Sequence, residues 1–261
     1  MKKIEIEGSG VDYERYAMNL LFKKFVNDYK INSVLELPAK GEKAMPSIYS
    51  LNFAQHGCDV TLVNHEKKSE WAWEKLGYDV KYQNEKNLSK TSLKDNSFDL
   101  VWNFMFLSQF EDKDSLINEM IRLSKKYVFF VAVNRFNVGF FSHRAVHKIF
   151  REPWTHGDVN YMNPFYVKKI FEKNNLKIKD IGIVDAPPWP DSLGIRDMKL
   201  HRKKVDLTKI DWDSRTINWM KEEKYPNKFR FYYAIENLPL PWILKLPYAH
   251  LFYVIGEKEY V

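Results

Sequence analysis

The sequence is poor in cysteine, with Cys58 as the single cysteine among 261 residues. One thiol cannot build an internal disulfide framework, and it cannot supply the several thiolates of a cysteine-rich zinc site. Cys58 stands just before the apolar run that begins at Asp59. This position favours a buried structural thiol over a nucleophile.

Long hydrophobic runs are also missing. No stretch of eighteen apolar residues free of charge and proline occurs, and the N-terminal MKKIEIEGSGVDYERY has no apolar segment of the signal-peptide kind. The sequence therefore predicts neither a membrane span nor a secretion signal. It indicates a cytoplasmic protein with no membrane partner.

Negative charge is in deficit, because 41 Lys and Arg stand against 34 Asp and Glu, giving a net charge of +7. A positive surface attracts anions, including nucleic acids. The lysines are spread along the chain, however, which favours a solvated surface over a nucleic-acid footprint. The aromatic content of 16% is high. It fits a core rich in rings, or alternatively an aromatic-lined ligand pocket.

Short apolar runs alternate with helical patterns through the first half of the chain. This alternation predicts βαβ units and a mostly parallel sheet that is covered on both faces. Seven strands are expected, at 33–37, 59–63, 79–82, 98–102, 127–133, 177–185 and 249–256. Helices are expected at 11–30, 47–56, 66–76, 113–125 and 164–175.

Two long segments interrupt this rhythm. Residues 134–163 hold histidines, aromatics and an EPWTHGD turn, and residues 186–247 are rich in proline and tryptophan. We interpret both as irregular insertions on one core. The expected organisation is an N-terminal helical segment at 1–30 and one domain at 31–261, with insertions at about 135–163 and 187–247.

Glycine is scarce where a nucleotide-binding turn needs it. The stretch VLELPAKGEKAMPS at 34–47 follows the first predicted strand and contains one glycine, Gly41. Ligands of doubly wound sheets bind outside the carboxyl ends of the strands, beside this turn. An acidic residue, Glu36, ends the first strand, and Asn64, which can hold ribose hydroxyls, ends the second.

The pattern across 31–134 resembles the class I S-adenosylmethionine-dependent methyltransferases, particularly the type 11 small-molecule group. LKDNSFDLVWNFMFLSQFED at 93–112 is similar to that group's fourth strand and the acidic pair after it, and INEMIRLSKKYVFFVAVN at 117–134 to the helix and fifth strand that follow. The resemblance implies a Rossmann-like seven-stranded α/β sheet in the order 3-2-1-4-5-7-6. The seventh strand would be antiparallel, and the two insertions would lie over the pocket.

The resemblance also implies S-adenosyl-L-methionine as the cofactor. The implied cofactor-binding residues are Glu36, Leu37, Pro38, Gly41, Asn64, His65, Asn87, Leu88 and Asn103. Glu36 and Asn64 have a simpler alternative reading as turn caps at strand ends.

The turn departs from the family, whose glycines are replaced by Pro38, Lys40 and Glu42. A backbone without glycine cannot approach a ligand as closely, so the turn is either wider or binds through side chains. The pyrophosphate of NAD binds against glycine backbone that approaches it closely, and this turn has no such glycine-rich sequence. S-adenosylmethionine has no phosphate and tolerates the loss better.

Catalytic candidates lie in the first insertion. His156 is predicted to act as a general base oriented by Asp158, with a histidine in a tight turn as the alternative. His143 and His147 stand four residues apart, on one face of a helix, and could bind a metal together with Asp158. No third ligand has diagnostic spacing, so no metal is assigned. The predicted substrate-binding residues are Trp154, Trp189 and His143.

The sequence therefore predicts methyl transfer to a small-molecule acceptor. Two alternatives stay open. One is a non-catalytic binding module of the same fold, because the glycine turn is degraded. The other is an RNA methyltransferase, which the basic charge permits although no appended RNA-binding module is found. Nothing in the sequence identifies the acceptor or the oligomeric state.

Overall fold

A computed structural model describes residues 8–41, 45–151, 153–187 and 213–259. Its centre is one seven-stranded sheet in the order β3-β2-β1-β4-β5-β7-β6. β7 pairs antiparallel with both β5 and β6, and the other pairings are parallel. The predicted fold class and strand order are confirmed. The strands are β1 Ser33–Glu36, β2 Asp59–Val63, β3 Val80–Gln83, β4 Phe98–Phe104, β5 Ser124–Val133, β6 Leu176–Val184 and β7 Leu251–Lys258.

Helices cover both faces of this sheet. Within the described ranges they are α1 Ser9–Tyr29, α2 Leu51–Gln55, α3 Glu70–Leu76, α4 Lys113–Leu123, α5 Val138–Ile149, α6 Pro164–Lys173, α7 Arg215–Glu222, α8 Asn227–Glu236 and α9 Trp242–Lys245. Short 3₁₀ turns lie at Lys67–Ser69, Phe106–Ser108 and Val159–Met162. None of the described helices combines the length and the apolar character needed to cross a bilayer.

Polar residues at the helix starts explain several boundaries. Asp112, Asn137 and Asn163 each accept a backbone N–H in the first turn of the helix that follows, and Pro164 occupies the first position of α6. Such caps satisfy amide groups that a helix start otherwise leaves without partners. The caps at Asn137 and Asn163 therefore fix where α5 and α6 begin.

Two hydrophobic cores lie on opposite faces of the sheet, because neighbouring residues of a strand point to opposite faces. Phe129 belongs to one core and Phe130 to the other. The first core is the more aromatic one: the Phe22 ring of α1 lies 4.2 Å from the Phe53 ring and 5.2 Å from the Trp102 ring, centroid to centroid. Much of the aromatic content is therefore core.

The two predicted irregular segments contain helices, which corrects the sequence interpretation. Residues 134–163 include α5, and the described part of 186–247 forms α7, α8 and α9. Two of the prolines that suggested an irregular chain, Pro226 and Pro241, directly precede α8 and α9. Proline at a helix start removes no internal hydrogen bond.

Candidate active site

One edge of the sheet collects most of the predicted site residues. β1 to β6 end at this edge and β7 begins there, because β7 alone runs in the opposite direction. The segments that follow β1 to β6 at this edge are 37–41, 64–66, 84–87, 105–109, 134–137 and 185–187, and residues 249–250 lead into β7. Such an edge is where open α/β sheets bind their ligands.

The turn after β1 is held by its neighbours on both sides. The Leu37 N–H donates to the Trp102 carbonyl at 3.0 Å, and the Ala39 N–H donates to the Val63 carbonyl at 2.7 Å. The Gly41 N–H donates to Glu66 Oε2 at 3.0 Å. A Cβ atom on Gly41 would overlap the Met45 carbonyl oxygen, so the turn's one glycine is required by the chain's own close approach.

Glu36 is buried at the end of β1 and accepts hydrogen bonds from two serines of the following segment. The Ser47 hydroxyl donates to Oε1, and the Ser50 hydroxyl donates to Oε2 at 2.6 Å. Burial raises the pKa of Glu36 to about 7, against the lowering effect of the serine hydrogen bonds. Ser50 also accepts from Trp102 Nε1 at 3.0 Å. Glu36 therefore ties residues 47–50 to the first strand.

Asn64 follows β2 in the left-handed backbone region, with φ of 52°. Its Nδ2 donates to the Glu85 carbonyl and its Oδ1 accepts the Glu85 N–H, both at 2.8 Å. An asparagine amide has two donor hydrogens and an oxygen with two lone pairs. One donor and one acceptor site remain to bind a diol.

His65 lies beside Asn64 and stacks on Tyr82, with ring centroids 3.9 Å apart. Its Nε2 lies 2.7 Å from Glu70 Oε1. Its Nδ1 is buried with no hydrogen-bond partner among the described residues. If Nε2 carries the proton that the carboxylate accepts, Nδ1 is an acceptor ready for a ligand N–H or O–H.

The remaining predicted cofactor residues play structural parts in the described contacts. Asn103 is fully buried; its Nδ2 donates to the Leu37 carbonyl at 2.7 Å and its Oδ1 accepts the Leu107 N–H at 2.9 Å. It fastens the turn after β4 to the turn after β1. Asn87 Oδ1 accepts the Ser89 N–H. Leu88 packs against the second core.

Glu85, two residues before Asn87, contacts the Asn64 side chain through its main-chain carbonyl and N–H. Its carboxylate accepts hydrogen bonds from Ser92 and Gln83, which hold its pKa below the usual range although burial acts in the opposite direction. The sequence does not single out Glu85, because the short β3 leaves the register of the next segment open.

A second polar cluster at the same edge was not found from the sequence. His250 Nδ1 lies 3.0 Å from Asp185 Oδ2 and 3.5 Å from Glu14 Oε2, and the Tyr49 hydroxyl donates to Glu14. The Tyr49 ring packs on Phe104, the last residue of β4, with centroids 4.2 Å apart. This acceptor cluster, as we call Glu14, Tyr49, Asp185 and His250, therefore lies next to the end of β4.

Burial dominates the electrostatics of the acceptor cluster. It raises the pKa of Asp185, opposed by the His250 hydrogen bond and assisted by the negative charges of Glu14 and Glu236. Asp185 Oδ1 is buried without a hydrogen-bond partner among the described residues. A bound molecule that donates a hydrogen bond would satisfy this atom.

His156 and Asp158, the predicted base and its orienting carboxylate, lie between α5 and α6. The Asp158 carboxylate accepts the Asn160 N–H at 2.9 Å and caps the short turn that follows. The His156 ring lies near His143, His147 and Trp154, with centroids 4.7–5.3 Å away. The role of His156 as a base stays a prediction. Trp189 lies outside the described residues.

Residues 45–132 match the type 11 family model described as a methyltransferase domain. No curated protein matches the sequence. Among solved structures, the chain is similar to the magnesium protoporphyrin IX methyltransferase of Synechocystis PCC 6803 with bound S-adenosylhomocysteine, at a TM-score of 0.53 and 15% identity, over 70% of this chain and 83% of that one.

Two further solved structures have the same fold. A geranyl diphosphate methyltransferase with geranyl diphosphate and sinefungin has a TM-score of 0.51 and 11% identity, over 94% of this chain and 78% of that one. The [4+2]-cyclase SpnF has a TM-score of 0.54 and 11% identity, over 93% and 81%. Likeness at these identities shows the fold alone.

The seven-stranded sheet, with its strand order 3-2-1-4-5-7-6, has the class I methyltransferase fold. The family match confirms the predicted resemblance to S-adenosylmethionine-dependent methyltransferases of the type 11 group, and with it the enzyme class and the cofactor. The matched range runs from the segment after β1 to β5, so it contains Asn64 and Asn103 but ends before the acceptor cluster's Asp185 and His250.

Proposed function

We propose that this protein transfers a methyl group from S-adenosylmethionine to a small-molecule acceptor. The observation that carries the proposal is the methyltransferase-domain match over residues 45–132, which contain β2, β3, β4 and most of β5. The acceptor cluster at the same edge supplies a polar site that is separate from the cofactor residues. Two neighbours of this fold are named for small-molecule substrates, a porphyrin and geranyl diphosphate.

The described residues fit the cofactor. Asn64 keeps one donor and one acceptor site for the ribose hydroxyls. The neighbouring His65 has an Nδ1 atom with no hydrogen-bond partner in the described part of the chain. The turn at 37–41 offers main-chain groups. No glycine-rich seat for a diphosphate is present between β1 and residue 41, which favours this phosphate-free cofactor over NAD.

The bound cofactor supplies an electrophilic methyl group on a sulfonium. The protein's main contribution is orientation, because well-aligned reactants can gain several kcal/mol in barrier from their placement alone. An acceptor with an O–H or N–H also needs a base. His250 is suited to this role, since Asp185 holds its Nδ1 at 3.0 Å and thereby fixes the ring orientation.

Cofactor binding is the first test. S-adenosylhomocysteine at a hundred times its dissociation constant should stabilise the chain by about 2.7 kcal/mol, which is roughly a 5–10 °C rise in Tm for a protein of this size. NAD and ATP should leave the Tm unchanged. Differential scanning fluorimetry with each ligand measures the effect.

Asn64→Ala should weaken this binding at least tenfold, because it removes the diol-binding amide and the Glu85 contacts together. Asn96→Ala is the matched control. Asn96 has a φ of 48°, also left-handed, but precedes β4 at the opposite edge of the sheet. Both variants carry the same backbone strain, so only Asn64→Ala should lose affinity.

A wild-type chain that binds neither S-adenosylmethionine nor S-adenosylhomocysteine would contradict the proposal. The non-catalytic binding module would then be the better interpretation. RNA methylation makes a different prediction, because RNA affinity would have to fall steeply as salt rises. Titration of a labelled RNA at two salt concentrations separates that alternative from a small-molecule enzyme.

A further inference from the structure

Three histidine side chains meet beside the turn that follows β4. His143 and His147 lie one turn apart on α5, and His156 comes from the loop after that helix. One ring nitrogen from each of the three lies within 4.8 Å of the others. The spacing of His143 and His147 is visible in the sequence. His156 lies beside them because the chain turns back after α5, which the sequence pattern does not show.

The distances fit a tetrahedral metal ion. The Nε2 atoms of His143 and His147 lie 3.1 Å apart. Two imidazole nitrogens bound to Zn²⁺ at 2.0–2.1 Å in tetrahedral geometry are separated by about 3.3 Å. His156 completes the set, with its ring centroid 4.9 Å from that of His143 and 5.3 Å from that of His147.

The surroundings orient at least one ligand. His147 is buried, and its Nδ1 lies 3.1 Å from the Pro153 carbonyl oxygen. A ring N–H donated to this carbonyl leaves the lone pair of Nε2 directed at the other two rings. Metal-binding histidines are commonly held in this way by a backbone carbonyl.

The loop that carries His156 is fixed next to the ligand edge. Trp154 Nε1 donates to the Gly157 carbonyl at 2.9 Å, and the Asp158 N–H donates to the Ser108 carbonyl at 2.8 Å. Gly157 has a φ of 89°, and a Cβ there would lie 2.7 Å from the Ser108 carbonyl oxygen. Only glycine allows this contact with the turn after β4.

We propose that His143, His147 and His156 bind a divalent transition metal ion, with Zn²⁺ as the best fit. Imidazole ligands suit Zn²⁺, and three histidines leave a further coordination position for an oxygen or nitrogen ligand. The site adjoins the turn after β4, which lies at the ligand edge of the sheet. The proposal is independent of methyl transfer, because metal binding requires neither cofactor nor acceptor.

The test is a zinc titration of the full-length chain after treatment with a chelator and dialysis. A competing chromophoric chelator reports affinity and stoichiometry, and Co²⁺ in place of Zn²⁺ reports tetrahedral geometry through its visible absorption. We expect one Zn²⁺ per chain. His143→Gln and His156→Gln should each lower the affinity at least tenfold while leaving the circular dichroism spectrum unchanged.

Two histidine controls make the result specific. The first control is His56→Gln. His56 lies at the end of α2, where it contacts Asn19. His250→Gln removes the histidine of the other described group of possible ligands, with Glu14 and Asp185. Both variants should bind Zn²⁺ like the wild type. The proposal is overturned if the wild type binds no Zn²⁺, or if its affinity depends on His250 and not on His143 and His156.

Discussion

Replacing His250 with glutamine should lower the turnover of an O–H or N–H acceptor by about 10²–10⁴-fold, the range that a positioned general base contributes. The substitution removes the ring that Asp185 orients at 3.0 Å. Asp185→Asn should slow turnover too, because it removes the carboxylate that fixes the ring. The measurement is the release of S-adenosylhomocysteine with an acceptor found by screening.

Cofactor binding separates a catalytic effect from a folding defect. His250→Gln should keep the stabilisation by S-adenosylhomocysteine, because Asn64 and His65 lie after β2, well removed along the sheet from β7. His56→Gln serves as the matched histidine control and should turn over normally. If His250→Gln keeps its turnover, the assignment of the base to His250 is wrong. If His156→Gln then loses turnover in chelator-treated protein as well, the base is His156, as the sequence predicts.

The positions of the strands were predictable because each strand depends on a short stretch of sequence. Each strand is a short apolar run, and the helices between them show a 3.6-residue pattern, so all seven strands lie within a few residues of their predicted positions. The order of the strands came from the family resemblance, since the apolar runs alone do not specify it. α5 was missed because its run of VGFFSHRAVHKI mixes apolar residues with histidines and follows several loop-forming residues.

The candidate site was only partly predictable, because its contacts join distant parts of the chain. Asp185 and His250 are 65 residues apart in sequence and meet because β6 and β7 are neighbours in the sheet. Glu14 lies on α1, and no sequence motif connects this helix to Asp185 or His250. Glu36 and Asn64 could be proposed as site residues because strand ends mark their positions. Their hydrogen bonds to Ser47, Ser50 and Glu85 depend on loop conformations that periodicity does not specify.

The buried carboxyl of Glu36 should make the stability of this protein depend on pH. Burial raises its pKa to about 7 from the ordinary value of 4.5, so the folded state retains a proton that the unfolded state releases. The free energy of unfolding therefore falls as the pH rises from about 4.5 to about 7. Each pH unit between these two pKa values lowers the free energy of unfolding by about 1.4 kcal/mol. The contribution of Glu36 to that free energy therefore falls by about 3 kcal/mol in all.

Glu36→Gln isolates this contribution from those of the other buried carboxyls, such as Asp185 and Glu236, which titrate in both proteins. Glutamine keeps the size and can still hydrogen-bond the Ser47 and Ser50 hydroxyls. Relative to wild type, the variant should therefore gain about 3 kcal/mol in unfolding free energy between pH 4.5 and pH 8. Urea denaturation at both pH values measures it, with the same substitution at the exposed Glu222 as the control. A difference between variant and wild type that does not change with pH would mean that Glu36 is accessible to water, and residues 47–50 would then not be anchored on β1 as described.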